Sequence, residues 1–141
     1  MKRAAFNLIE LIFVIIILGV LSSVVIVRMG NMAKYAKETQ LKSFVGTLNR
    51  SVGPAIWLKS VEDGHNGSVA FADYDANLDE FTDIIPNYTL TPALTNCNES
   101  GEGIFVSYTF HKNYEVHCRD GNRTTSPNFR LYNQTDSIYV E

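Results

Sequence analysis

A carboxylate among apolar residues demands an explanation before anything else in the chain, and Glu10 stands at the head of a run, Leu11 to Val27, that contains no charge. An acid inside a membrane costs roughly 2.5 to 3.5 kcal/mol on insertion scales, so such a residue implies a function and a partner. The nearest cation, Arg3, is seven residues away on the side of the run that the positive-inside rule keeps cytoplasmic, so the partner must come from another molecule. A second group of oxygen ligands, Asp73, Asp75, Asn77 and Asp79, recurs at every second position as in calcium loops. Its sixth position is Leu78 where the tight turn needs Gly, and its twelfth is Ile84 where Glu is needed, so a solvated acidic turn is the preferred reading and calcium the weaker one. His65, His111, His117 and Cys118 are the residues a catalytic reading would use. Adjacent residues of a strand face opposite ways, so His117 does not activate Cys118, and the chain is read as no enzyme.

Four cations, Lys112, Arg119, Arg123 and Arg130, lie among Tyr114, Phe129 and Tyr132, the residue types of a single-strand nucleic-acid surface. Against that stands a formal net charge of -3, which becomes -5 without Lys2 and Arg3, and nucleic acid is not the expected partner. Asn-x-Ser/Thr sequences begin at Asn49, Asn66, Asn87, Asn98, Asn122 and Asn133, and Asn122 has Asp120 two residues earlier, as the extended bacterial glycosylation acceptor does. The two cysteines, Cys97 and Cys118, both follow the apolar run, and an even count in an exported domain favours a disulfide over a metal site; two unrelated buried thiols are the alternative.

The elements that carry these residues divide the chain sharply. With 141 residues there is room for one small folded unit besides the N-terminal segment. The run from Leu11 to Val27, lengthened by Phe6, Leu8 and Ile9, is long enough to cross about 30 Å of hydrocarbon, and Lys2 with Arg3 orients the remainder outward. A cleaved secretory signal fits poorly, because cutting after Ser22 leaves Val24 to Val27 as an apolar stub. Beyond Arg28, Met29, Met32, Ala36, Leu41, Phe44, Val45, Leu48 and Val52 recur at helical spacing, with Lys34 and Glu38 placed to pair four residues apart. Gly53-Pro54 should end or kink that helix. A strand is expected at Ser68 to Phe71, a connecting loop at Ile85 to Leu94, a hairpin from Ile104 to Cys118 turning at His111 to Asn113, and further strands at Phe129 to Tyr132 and Ile138 to Val140. The expected fold class is α+β, a long N-terminal helix, transmembrane and then amphipathic, packed on a small antiparallel sheet.

The segment Phe6-Asn7-Leu8-Ile9-Glu10-Leu11, with its short basic leader and the apolar helix that follows, resembles the cleavage and methylation segment of type IV prepilins and type II secretion pseudopilins. The resemblance implies a leader of residues 1-5 removed by a prepilin peptidase between Ala5 and Phe6, with Ala5 standing where the family usually has Gly. It implies an assembly helix at 6-28 and a periplasmic or extracellular head at 29-141. In the family, the methylated amine of the new N-terminus, here Phe6, pairs with the Glu of a neighbouring subunit, here Glu10. The implied partners are other pilin-like subunits, an assembly platform in the bacterial inner membrane and, before assembly, the lipid bilayer. A minor subunit serving DNA uptake is a variant of this reading. A monomeric membrane-anchored binding module is the rival, and in it Glu10 is dispensable.

Overall fold

The computed structural model describes residues 7–83, 85–89 and 91–140, with the side chains of 24–29 outside the described set. The chain falls into two units, Met1–Lys37 and Glu38–Glu141. Helix α1 spans Leu8–Thr47. It begins where the Asn7 carbonyl accepts the amides of Glu10, at 2.9 Å, and Leu11. No proline occurs before Pro54, and Glu10 in the first turn suits the positive end of the helix dipole.

Within the second unit, burial along α1 starts at Leu41 and continues through Phe44, Val45, Leu48 and Val52. The apolar stripe expected from Met29 onward is therefore shorter, since Met32 and Ala36 are exposed. Glu38 does not take Lys34 as its partner. It sits 3.8 Å from Lys42 and accepts a hydrogen bond from the Tyr114 hydroxyl at 3.0 Å, the acid preceding the base as helix pairs prefer.

Gly53-Pro54 does not end the helical path. A π-helical turn, Leu48–Val52, closes with the Gly53 amide on the Leu48 carbonyl, and helix α2 follows directly over Gly53–Glu62. The shift in pairing puts Pro54 in the first turn of α2, where a missing amide hydrogen leaves no bond unmade. Trp57 of α2 reaches across to donate its indole N–H to the Asn122 carbonyl at 2.7 Å.

After α2 the chain turns through Gly64, Asn66 and Gly67, all at positive φ. Gly67 has a second reason to lack a side chain, because a Cβ there would stand 2.3 Å from the Asn122 carbonyl oxygen. Ser68 to Phe71 is not a strand. Two of its donors go to one side chain instead, the Ser68 hydroxyl to Asp120 Oδ2 at 2.6 Å and the Val69 amide to Asp120 Oδ1 at 2.7 Å. A short helix α3, Ala72–Ala76, and 3₁₀ turns at Leu78–Glu80 and Leu94–Asn96 complete the connection.

The sheet is antiparallel in the order β1 (Gly103–Thr109), β2 (Asn113–Arg119), β3 (Asn128–Asn133), β4 (Ile138–Val140), close to the expected strands. Tyr114, Val116, Cys118, Phe129 and Leu131 point inward and share one core with the buried part of α1. The alternation foreseen in β1 breaks at Phe105. A bulge between Ile104 and Val106 lets Phe105 and Val106 both be buried. The outer edge of β1 is closed by the preceding loop, whose Thr89 and Ala93 amides donate to the carbonyls of Ser107 and Phe105, each at 2.8 Å.

Candidate functional site

Glu10 lies on an exposed helical surface whose neighbours from Leu8 to Leu21 are almost wholly apolar; the large side chains there are 43% to 75% exposed. No cation lies within ion-pairing distance of it among the described residues. Ser22 and Ser23, the hydroxyl residues of this stretch, turn back onto the helix, donating to the carbonyls of Leu18 and Val20 at 2.7 Å each. The surface is thus apolar around one carboxylate: water hydrates the carboxylate, but so large an exposed apolar surface calls for a cover. Among the described residues no helix is long and apolar enough to cross a membrane. The described side chains of the apolar stretch, Leu8 to Ser23, cover about 24 Å of helix, short of the roughly 30 Å hydrocarbon layer. Ala5 and Phe6, the residues of the expected cleavage site, lie outside the described residues.

In the second unit the cysteines are joined. Cys97 and Cys118 form a disulfide that ties the loop before β1 to the inner face of β2. The four oxygen ligands of the acidic turn do not converge. Asp73 and Asp75 ride on α3, Asp79 on the 3₁₀ turn after it, and Asn77 donates to the Asp73 carbonyl at 2.8 Å. Asp75 is occupied by the Leu94 amide and, at 2.8 Å, by the Thr95 hydroxyl, so it anchors the loop that closes β1. No group of three metal-ligating side chains occurs among the described residues.

The rings among the four cations, whose residue types suit a nucleic-acid surface, do not share a face. Tyr114 and Phe129 are core residues, while Tyr132 lies on the outer face of the sheet, stacked on His117 at 4.8 Å. Lys112 is paired with Asp136, and the Arg130 guanidinium lies 4.2 Å from the ring centre of Tyr139. His117 and Cys118 do face opposite ways. The His117 ring bridges Glu115 and the Tyr139 hydroxyl, each at 3.1 Å.

Asn122 is exposed, and its side-chain oxygen accepts the Thr124 amide and hydroxyl and the Thr125 amide at 2.9 to 3.0 Å. Asp120, foreseen only as part of a glycosylation acceptor, is engaged three times over by Ser68, Val69 and the Gly121 amide. An open cleft of about 1050 Å³ lies beside this turn, with Arg119 and Arg123 in its lining. Reading the sequence did not find this cleft. A spacing of Arg-x-x-x-Arg around Asp-Gly-Asn was visible, but nothing local links it to Asn66 and Ser68 some fifty residues earlier. Compared with family models, with curated proteins and with solved structures, the chain shows no match to any of the three.

Proposed function

We propose that the chain is a structural subunit of a type IV pilus-like filament or type II secretion pseudopilus, trimmed between Ala5 and Phe6 and assembled through its N-terminal helix. The observation that carries this reading is the unpaired Glu10 on a helical surface of exposed apolar side chains from Leu8 to Leu21. In a filament, copies of that surface cover one another, and the amine released on Phe6 of one subunit meets Glu10 of the next. Each charge offsets the desolvation of the other, and a subunit added out of register leaves both unpaired at a cost of several kcal/mol. Before assembly the apolar run, which continues in sequence to Val27, holds the subunit in the bacterial inner membrane with its head in the periplasm.

The test is the mass of the N-terminal peptide recovered from membranes and from sheared filaments. A peptide beginning at methylated Phe6, together with loss of filaments in Glu10→Ala, supports the reading. A peptide that retains Lys2 to Ala5, with Glu10→Ala behaving as the parent, replaces it with the membrane-anchored binding module. The cleft beside Arg119 and Arg123 is the feature that favours this second reading.

A further inference from the structure

The cleft beside Asn122 has a charge arrangement that the rest of the head does not need. Arg119 donates its Nε–H to the Glu99 carbonyl at 3.1 Å, and Arg123 donates its Nε–H to Asn66 Oδ1 at 2.9 Å. Both side chains line the same cleft, and neither has a carboxylate within ion-pairing distance among the described residues. Each guanidinium is therefore held by one nitrogen, while its two terminal nitrogens have no hydrogen-bond partner among the described residues. A planar fork fixed in this way loses little freedom when it binds a carboxylate or phosphate. Both side chains are exposed, so their charged ends are open to a ligand.

The loop that orients Arg123 turns through left-handed positions. Asn66 sits at φ 58 between Gly64 and Gly67, both at φ 84, so a left-handed residue with a side-chain acceptor is placed where Arg123 can reach it. The Asp120 carboxylate in the same lining keeps its charge but is committed to the Ser68 hydroxyl and the Val69 and Gly121 amides, and it pairs with neither arginine. The rest of the lining is chiefly amide and hydroxyl, from Asn128, Thr124, Thr125 and Ser126, with Glu99 adding a second carboxylate.

We propose that this cleft binds an acidic saccharide, its carboxylate held by Arg119 and Arg123 and its hydroxyls by the surrounding amides and hydroxyls. The lining favours this over single-stranded nucleic acid. Base stacking needs exposed rings, and the single ring in the lining, His65, is already stacked on Phe71 with centroids 3.9 Å apart. The proposal goes beyond the filament reading and does not depend on it, since every residue of the cleft belongs to the second unit and none to the segment that carries Glu10.

Calorimetric titration of the full chain in detergent micelles tests it, with trigalacturonate, neutral galactotriose and a twelve-residue oligothymidylate as probes. Trigalacturonate should bind at least about tenfold more tightly than the neutral sugar, and Arg119→Gln or Arg123→Gln should each weaken it by about tenfold. Asn66→Gly keeps the left-handed backbone and removes only the acceptor, so it should weaken binding while circular dichroism stays unchanged. Lys112→Gln, outside the cleft, should leave affinity as it was. Equal affinity for charged and neutral sugars, an equal loss in Lys112→Gln, tighter binding of the oligothymidylate, or no binding of trigalacturonate overturns the proposal.

Discussion

The Tyr114 hydroxyl, rising from the inner face of β2, donates to the Glu38 carboxylate of α1 at 3.0 Å, and Glu38 also faces Lys42. One phenol thus joins the sheet to the helix through a charge-assisted hydrogen bond under a buried ring. The Tyr114 hydroxyl is pushed up from 10.0 to about 12, by burial first and then by the hydrogen bond to Glu38 and its charge. Because the folded state holds this proton more tightly than the unfolded chain, the associated stability is complete below pH 10 and is lost as pH rises towards 12. Tyr114→Phe should lower stability by about 1.5 to 3 kcal/mol at neutral pH and flatten the alkaline loss, as read from urea midpoints between neutral pH and pH 11.

Tyr108 makes the opposite case. Its hydroxyl is buried with no hydrogen-bond partner among the described residues, and burial alone raises its ionisation above the ordinary phenol range. Tyr108→Phe removes an unsatisfied polar atom and keeps the ring. Thermal melting should show no loss at neutral pH, and a gain of up to about 1 kcal/mol is expected.

Asn49, in the π turn, clasps β3 by both atoms of its amide: Nδ2 donates to the Phe129 carbonyl and Oδ1 accepts the Phe129 amide, each at 2.8 Å. Asn49→Ala leaves both backbone groups without a partner and should cost about 2 to 4 kcal/mol. Asn49→Asp, which loses only the donor, should cost less at acidic pH, where its carboxyl is protonated and can donate, than at neutral pH.

The disulfide between Cys97 and Cys118 closes a loop with a sequence separation of 21. Reduction, or Cys97→Ser with Cys118→Ser, should lower stability by roughly 3 kcal/mol in the chain-entropy model. A denaturant midpoint that does not move with reductant would show that the reduced chain is equally constrained by its other contacts.

Patterns that repeat along the chain were legible before the structure. The inward alternation of Tyr114, Val116 and Cys118, the later strands and the cysteine pairing all appear where expected, because a period of two and an even cysteine count are local signals. What was missed depends on single side chains meeting distant backbone. Asp120 satisfying Val69, Asn49 satisfying Phe129 and Asp75 satisfying Leu94 have no period, and each holds together segments that sequence reading treats as unrelated. The extended stretch at Ser68 to Phe71 was misassigned for this reason: its composition suits a strand, yet its amide and hydroxyl are taken by a carboxylate. Pro54 misled in the other direction, since a proline that opens α2 is harmless once the π turn has shifted the pairing.

That π turn also sets where the chain can change length. It fits one more residue into a turn than an α turn does, pairing the Gly53 amide with the Leu48 carbonyl five residues back. Deleting one of its exposed residues, Arg50 or Ser51, would restore the four-residue pairing of an α-helix and leave the side chains of α2 facing much as they do, with Trp57 still towards the Asn122 carbonyl. A deletion in the regular helix on either side has no such slack and would turn every later side chain by about 100°.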